Sequence, residues 1–256
     1  MILAILQARV SSSRLPGKVL KPILGKPMLE LQLERVRRAK KIDKLVVATS
    51  VNDDDNAIEG ICKRMGIECF RGSLNDVLDR FYQVTQKYQP KHIVRLTGDC
   101  PLTDPIVIDG IIAYHVSGKF DYTTNTLQPT FPHGLDAEVV RRDILETVWR
   151  ETYLPSHREH VTFFVTQHPE RFNIGHYRDA IDLTYLRWTV DEAEDFEVVK
   201  SVYEALYSVK SDFTTQNILD FLTKRQDLIV LNTKYKRNEG LRSSLLKDRQ
   251  YLDKQK

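Results

Sequence analysis

Short apolar runs alternate with stretches of helical periodicity through the first hundred residues of the chain. The short runs predict strands, and the periodic stretches between them are long enough to be crossover helices. Predicted strands cover residues 2–6, 45–48, 67–70 and 93–96, and predicted helices cover residues 27–38, 56–65 and 76–88. Strands that alternate with helices indicate βαβ units, and therefore a mainly parallel sheet covered by helices on both faces.

The second half of the chain has a less regular pattern. Here the predicted strands are residues 121–124, 136–140 and 186–190, and the predicted helices are residues 143–151, 158–167 and 193–207. No Gly/Ser-rich linker or internal repeat separates the two halves, so we expect residues 1–225 to form one domain. Residues 226–256 are predicted to be a polar, basic C-terminal arm.

Composition and charge narrow the class of protein. With 256 residues and 41% hydrophobic content, the chain is able to build its own core. Its net charge is +3, but residues 234–256 carry eight basic and three acidic side chains, which leaves about −2 on the rest. Such a distribution is a poor electrostatic footprint for a nucleic-acid groove, and we expect no nucleic-acid partner.

The cysteines, the apolar runs and the N-terminus indicate the cellular location of the protein. Cys62, Cys69 and Cys100 lack CxxC spacing, so neither a disulfide framework nor a cysteine zinc site is predicted. The longest apolar runs, residues 2–6 and 228–231, stop far short of the roughly 20 residues of a membrane span. The N-terminus lacks a positively charged start and a small-residue cleavage site, which favours a first strand and a cytoplasmic location.

The loop that follows the first predicted strand is rich in groups that bind anions. Residues 7–18 contain the cations Arg9, Arg14 and Lys18 and three consecutive serines. A triphosphate needs several donors that converge from different directions, and Gly17 would let the backbone approach it closely. Ligands of parallel α/β sheets bind just outside the carboxyl ends of strands. The sequence is not a Walker A loop, and a solvated polar turn is the alternative.

An acid follows the predicted strand at residues 93–96. Asp99 comes directly after Gly98 and shortly before Pro101, which ends regular pairing. Magnesium sites on triphosphates use one or two carboxylates, so Asp99 is a candidate metal ligand, and a turn-forming acid is the alternative. Asp104, before Pro105, instead has the pattern of a helix N-cap.

Residues 186–191 alternate in character. If the segment is extended, Arg187, Thr189 and Asp191 share one face. This polar face is expected to point to a place that tolerates charge, and the spacing of Asp191 to Glu194 also fits a helix-capping pattern.

Three further groups of polar residues are candidates. Asp136 and Glu138 lie on one side of a predicted strand, where they would orient sugar hydroxyls or face solvent. His157 and His160 lack a third metal ligand in their motif, which favours a structural role. Arg71 follows the strand at residues 67–70 and would be able to reach a nucleotide.

The string Ala8-Arg9-x-x-Ser12-x-Arg14-Leu15-Pro16-Gly17-Lys18-x-Leu20 resembles the signature loop of cytidylyltransferases that activate sugar acids, the acylneuraminate and 3-deoxy-manno-octulosonate types. Its continuation, Gly25-Lys26-Pro27-Met28, looks most like the branch associated with spore-coat polysaccharide synthesis. The resemblance runs from residue 2 to about residue 199. It implies a three-layer α/β/α sandwich with a mainly parallel, mixed, Rossmann-like nucleotide-binding sheet, and makes residues 1–225 a nucleotidyltransferase domain.

The resemblance also implies roles for residues at matching positions. Arg9, Lys18 and Asp99 are the expected catalytic residues, and Asp99 and Asp191 the expected Mg²⁺ ligands, with Asp195 a further candidate. Residues expected to bind the nucleotide are Ala8, Arg9, Ser13, Arg14, Gly17, Lys18, Arg71 and Thr97, and those expected on the acceptor side are Asp136, Glu138, Arg158 and His160. A homodimer is expected by the same analogy.

The implied reaction transfers CMP from CTP to a sugar or sugar acid and releases pyrophosphate, in the synthesis of surface polysaccharide. Cytosine as the base rests on the resemblance alone. Two other classes stay open: a glycosyltransferase that uses a nucleotide sugar, although a clean Asp-x-Asp metal motif is absent, and a non-catalytic nucleotide-binding protein.

Overall fold

The computed structural model of the protein describes residues 1–237 and 239–254. The strands are β1 (Ile2–Gln7), β2 (Pro22–Ile23), β3 (Lys26–Pro27), β4 (Lys44–Ser50), β5 (Glu68–Gly72), β6 (His92–Thr97), β7 (Tyr122–Thr124), β8 (Glu138–Arg141) and β9 (Ile174–His176). The helices are α1 (Met28–Val36), α2 (Asn56–Met65), α3 (Val77–Tyr88), α4 (Pro105–Gly118), α5 (Arg142–Glu151), α6 (Pro155–Glu159), α7 (Phe163–Gln167), α8 (Ala193–Leu206), α9 (Thr215–Leu222), α10 (Gln226–Leu231) and α11 (Glu239–Asp253). Every element predicted within the first hundred residues is present, with its ends within two residues of the prediction.

The central sheet has the strand order β5-β4-β1-β6-β8-β7-β9. Strands β5, β4, β1 and β6 are parallel, β8 runs antiparallel to β6, and β7 and β9 are parallel to each other. In the register, Gln7 at the end of β1 lies between Ala48 of β4 and Thr97 of β6. The carboxyl ends of these three strands therefore open at one level, which is where an α/β sheet binds its ligands.

Helices cover both faces of the sheet. On one face, α1, α2 and α4 pack on Ala4 and Leu6 of β1, and on the other, α3 and α5 pack on Leu3 and Ile5. A third apolar cluster lies beside the sheet, between the start of α1, the buried Trp188, and helices α8 and α9. The predicted three-layer α/β/α sandwich with a mainly parallel sheet is thus confirmed.

The first residues of α4 and α8 test two helix-capping patterns predicted from the sequence. Asp104 caps α4, since its side chain accepts a hydrogen bond from the Ile106 amide at 2.8 Å and Pro105 is the first helical residue, as predicted. At α8 the N-cap is Glu192, which forms a capping box with Asp195. The capping pattern from Asp191 to Glu194 is therefore wrong by one residue, and Asp191 is not the cap.

Two other predictions for the second half are wrong. Residues 186–190 do not form a regular strand, and only a single bridge joins Arg187 to His133. The His133 carbonyl accepts from both the Trp188 and Thr189 amides, which prevents a regular ladder. The helix predicted at residues 158–167 is divided into α6 and α7, because Val161 takes a φ of 40° in the left-handed region.

Residues 226–254 pack against the rest of the chain, apart from residue 238, which with 255 and 256 lies outside the described residues. Asn232 is buried and donates from its amide to the Arg187 carbonyl and to Asp195 Oδ1, both at 2.9 Å. Helix α11 lies on α6, where Asp248 accepts from the Ser156 amide at 2.8 Å. The described part of the predicted arm is therefore docked, and the domain boundary at residue 225 stays a prediction. None of the described helices has the length and apolar character of a membrane span.

Candidate functional site

The site begins where β1 and β6 end side by side. The Gly98 amide donates to the Gln7 carbonyl at 2.8 Å, which brings the residues after both strands together. A Cβ at position 98 would lie 2.9 Å from Cβ of Ala8 and 3.2 Å from the Gln7 carbonyl oxygen. Only glycine allows this approach, so Gly98 sets Asp99 beside the loop at residues 7–18.

A buried acid from a neighbouring βα unit shapes that loop. Asp55 Oδ1 accepts from the Val10 amide at 2.7 Å, while Oδ2 accepts from the amide and hydroxyl of Ser50. Gly17 has a φ of 69° and donates its amide to the Val10 carbonyl at 3.1 Å, so the loop curls back on itself. Asp55 is not among the site residues predicted from the sequence, and its contact with the loop is visible only in the fold.

At the centre of the cleft, Lys18 joins two acids that are far apart in sequence. Its ammonium lies 2.8 Å from Asp191 Oδ1 and 3.5 Å from Asp99 Oδ2, and donates to the Val190 carbonyl at 2.7 Å. Burial alone would lower the pKa of Lys18, but the two carboxylates reverse this and raise it. The Lys18 side chain is therefore held in its charged form.

Both acids have further donors. The Thr97 hydroxyl donates to Asp99 Oδ1 at 2.6 Å, and Arg14 contacts Asp191 Oδ1 at 2.9 Å. Burial favours neutral Asp99, yet Lys18 and Thr97 outweigh it and hold the pKa of this carboxyl well below its usual range. Two carboxylates thus flank a space that already accommodates one cation, the Lys18 ammonium.

That pair of carboxylates fits a magnesium ion in part. Their oxygens are the hard ligands that Mg²⁺ prefers, and Mg²⁺ is commonly held by one or two carboxylates plus phosphate oxygens and waters. Within the described ranges, no group of three or more His, Cys, Asp or Glu side chains is arranged to hold a metal. The protein alone does not complete a coordination shell, so a ligand would have to supply the remaining oxygens.

Asp195, the further metal candidate, lies behind this centre. It is buried, and its oxygens accept from Arg187 Nε at 2.8 Å and from the amides of Asp191 and Glu192 at 2.9 and 3.0 Å. These partners, together with Asn232, occupy its lone pairs. Asp195 therefore orients the segment that carries Asp191 and does not face the cleft.

The cleft has two ends. We call the end along residues 7–18 the loop pocket, and the end that reaches Tyr122 and Glu138 the inner pocket. Among the described residues that line the loop pocket, six are cationic (Arg9, Arg14, Lys18, Arg80, Arg95 and Lys247) and three are acidic (Asp99, Glu159 and Asp191). In the inner pocket, Arg14, Arg95 and Lys236 face Asp99, Asp136, Glu138 and Asp191. The loop pocket is thus the end that suits a polyanion.

Arg80 is a residue of the loop pocket that sequence reasoning missed. Its side chain is only 2% exposed, yet its one hydrogen bond in the described structure goes to the Ala48 carbonyl at 3.2 Å, and Nε has no partner. Burial, followed by the nearby Arg9, lowers the pKa of Arg80 to about 10. An arginine on the same helical face as Val77 and Val84 was the available signal.

The inner pocket contains the acids predicted for the acceptor. Glu138 accepts from Arg95, from Thr162 and from the Tyr122 hydroxyl, the last at 2.9 Å, so its oxygens are largely occupied. Asp136 is less engaged: Oδ1 accepts from the Gly134 amide at 3.4 Å, His133 Nε2 is 3.6 Å from Oδ2, and burial raises the pKa of this carboxyl. Asp136 is therefore the acid of this pocket with spare acceptor capacity.

Gly134 joins this acceptor region to the metal candidates. It has a φ of 117°, and a Cβ there would lie 2.4 Å from the Thr189 amide nitrogen and 2.5 Å from the Trp188 carbonyl carbon. The loop that carries Asp136 therefore crosses directly over the segment that leads to Asp191, and only glycine fits at the crossing.

The structure brings most of the sequence-predicted residues to the cleft. Ala8, Arg9, Ser13, Arg14, Lys18, Thr97, Asp99, Asp136, Glu138, His160 and Asp191 line one or both pockets, and Gly17 shapes the loop. Besides Gly17, which lines neither pocket but shapes the loop, Arg71 and Arg158 lie outside both pockets. Arg71 is held by Asn56, Glu59 and the Ser50 carbonyl, and Arg158 is held by Asp76 at 2.6 Å and lies over Trp149.

His160 lies where the two pockets meet. Its Nε2 is 2.9 Å from the Ser244 hydroxyl of α11, and burial lowers its pKa, which keeps the ring neutral. A neutral imidazole suits hydrogen bonding to a hydroxyl better than pairing with an anion.

Comparison with known proteins agrees with this geometry. The family described as cytidylyltransferase matches residues 3–242. The spore coat polysaccharide biosynthesis protein SpsF of Bacillus subtilis is 35% identical over 88% of this chain and 95% of its own length. A 3-deoxy-manno-octulosonate cytidylyltransferase of Syntrophotalea carbinolica is 39% identical over 44% of each chain.

A solved cytidylyltransferase from Leptospira borgpetersenii superposes with a TM-score of 0.85, at 33% identity over 89% of this chain and 96% of that one. The family match, over residues 3–242, includes the loop after β1, the acid after β6 and the segment before α8, which are the three parts of the chain that meet at Lys18. By its sequence, its fold and the extent of both matches, the chain belongs to the cytidylyltransferase family.

Proposed function

We propose that the protein transfers CMP from CTP to a hydroxyl of a sugar or sugar acid, with Mg²⁺ and with release of pyrophosphate, in the synthesis of a surface polysaccharide. One observation carries the proposal: Asp99, Lys18 and Asp191 meet at the junction of a cationic pocket and a more acidic one. A triphosphate in the loop pocket and an acceptor in the inner pocket would then meet at these acids.

The side chains would act mainly by positioning and charge. Arg9, Arg14, Lys18 and Arg80 neutralise the triphosphate, and this favours the departure of pyrophosphate because negative charge builds up there in the transition state. Asp136 and His160 orient the acceptor hydroxyl. Mg²⁺ held by Asp99 and Asp191 would stabilise charge on the phosphate oxygens and on the attacking hydroxyl.

The names of two relatives support the acceptor class. One takes part in spore coat polysaccharide biosynthesis, and the other is a 3-deoxy-manno-octulosonate cytidylyltransferase. A sugar or sugar acid for this chain, and its role in surface polysaccharide, are proposed on that ground. The homodimer is proposed on family resemblance alone, and the cytoplasmic location stays a prediction from the sequence.

The test is release of pyrophosphate from each of the four ribonucleoside triphosphates, with Mg²⁺ and a panel of sugars and sugar acids. Release from CTP that depends on an added acceptor is the expected result. Consumption of a CMP-sugar or UDP-sugar without pyrophosphate would indicate a glycosyltransferase. Stabilisation by CTP in a thermal-shift assay without turnover on any acceptor would favour a non-catalytic nucleotide-binding protein.

A further inference from the structure

Helix α11 forms one wall of the loop pocket. Gly240, Ser244 and Lys247 line that pocket opposite the loop at residues 7–18. The family match ends at residue 242, so Ser244 and Lys247 lie beyond it. Two of these three residues of the wall therefore lie outside the family match.

One carboxylate joins the α11 wall to the loop. Glu159, the last residue of α6, has Oε1 3.8 Å from Arg9 and Oε2 3.3 Å from Lys247. Burial would raise its pKa, but the Ser244 hydroxyl and Lys247 outweigh this and lower it, so the side chain is an anion. Two cations on opposite sides of the pocket are thus bridged by a negative group of the protein.

We propose that Glu159 is a placeholder for the terminal phosphates of the nucleotide, and that Lys247 of α11 is a triphosphate-binding residue. The proposal rests on the function proposed above. A carboxylate and a phosphate use the same cationic donors, and two anions cannot share these two cations without strong repulsion. Binding of the triphosphate therefore exchanges Glu159 for phosphate oxygens on Arg9 and Lys247.

Glu159 keeps a partner during this exchange. The Ser244 hydroxyl donates to Glu159 Oε2 at 2.8 Å, and Ser244 is itself 1% exposed and fixed on α11. The carboxylate that loses its two cations is thus not left unpaired in a half-buried position. Because Lys247 is more than half exposed, it is free to follow a phosphate with little loss of packing.

The first test replaces Lys247 and measures binding by calorimetry without acceptor. Lys247→Gln is expected to weaken binding of CTP and of inorganic tripolyphosphate about tenfold, the effect of losing one charge-assisted contact, and to leave CMP binding unchanged. The matched control is Arg249→Gln, on the same helix, exposed and outside the pocket lining, which should change none of the three affinities. Equal CTP and tripolyphosphate affinities for wild type and Lys247→Gln would overturn the proposal.

The second test changes the placeholder. Glu159→Gln keeps the shape and the Ser244 contact but removes the competing charge, so CTP and tripolyphosphate should bind about threefold to tenfold more tightly. Weaker binding by this variant would also overturn the proposal. If wild type binds tripolyphosphate but not CTP, the cytosine assignment fails and the Lys247 comparison still decides this inference; if it binds neither, both proposals fall.

Discussion

Asp191 and Asp195 lie four residues apart but belong to two different regions. Asp191 lies on the cleft surface with Asp99, where Lys18 and Arg14 reach one of its oxygens from the loop, while Arg187 Nη2 lies behind it, 3.3 Å from the other oxygen. Asp195 lies in what we call the rear layer, with Arg187 and Asn232, where each oxygen has at least two donors.

The same contrast separates two buried arginines. Arg187, in the rear layer, pairs with Asp195 through Nε and Nη2 at 2.8 and 2.9 Å. Arg80, on the cleft surface, has an unpartnered Nε and no carboxylate within ion-pair distance in the described chain. An unpaired buried charge lowers stability, so it is expected to be kept where a ligand supplies its partner. A buried charge whose hydrogen bonds are all made within the protein instead stabilises the fold. Completeness of pairing therefore distinguishes these two buried arginines, one able to take a ligand and one structural.

The largest effect that this comparison predicts is on catalysis. Asp99→Asn and Asp191→Asn should each lower kcat by about a thousandfold or more, roughly 4 kcal/mol, because each removes a charge that acts on the developing transition state. The melting temperature should stay within a few degrees of wild type. Rates come from the pyrophosphate assay and stability from calorimetry; an unfolded Asp191→Asn protein would contradict the distinction.

The rear layer should show the opposite behaviour. Asp195→Asn leaves Arg187 as a buried cation without its carboxylate, which should cost about 3 kcal/mol of the free energy of unfolding. In urea denaturation the midpoint should fall accordingly, with the m-value unchanged. A fully stable but inactive Asp195→Asn protein would place this residue at the metal after all.

Arg80→Met tests the unpaired arginine. Without it, the KM for CTP should rise about tenfold to thirtyfold, since a buried guanidinium makes a strong charge-assisted contact to phosphate. Stability should be unchanged or higher, because methionine fills the space without an unsatisfied donor. Arg187→Met is the matched control, and it should lose stability; a similar loss for Arg80→Met would make Arg80 structural.

The smallest predicted effect concerns the inner pocket. Asp136→Asn should raise the KM for the acceptor about fivefold to tenfold, the weight of one hydrogen bond to a charged group, and leave the KM for CTP unchanged. Both constants are measured with the acceptor found in the pyrophosphate assay. If the KM for CTP rises instead, the two ends of the cleft are not separate in function.

The parallel half of the fold was predictable because its signals are local. Both faces of β1 are buried, which produces the uninterrupted apolar run that marks it, and the loop cations follow directly. Asp99 was found by its place after β6, since register alone brings Thr97 level with Gln7. Strand ends and glycines in the sequence were enough for these positions.

The remainder depended on contacts that the sequence does not express. Residues 186–190 have the alternation of a strand, yet the His133 carbonyl takes two of their amides and stops the ladder. Val161 breaks the predicted helix although β-branched residues seldom adopt a positive φ. Arg71 follows a strand end, as the loop cations do, but four local partners hold it away from the cleft.

The crossing of Gly134 over Trp188 and Thr189 bears on any attempt to give the enzyme a new acceptor. The loop with His133 and Asp136 cannot be exchanged by itself, because a Cβ at position 134 would lie 2.4 and 2.5 Å from backbone atoms of the segment that leads to Asp191. We expect chimeras that import this loop from a relative to work only when residues 186–191 are imported with it. The residues proposed to bind the acceptor and the metal would then have to be exchanged together.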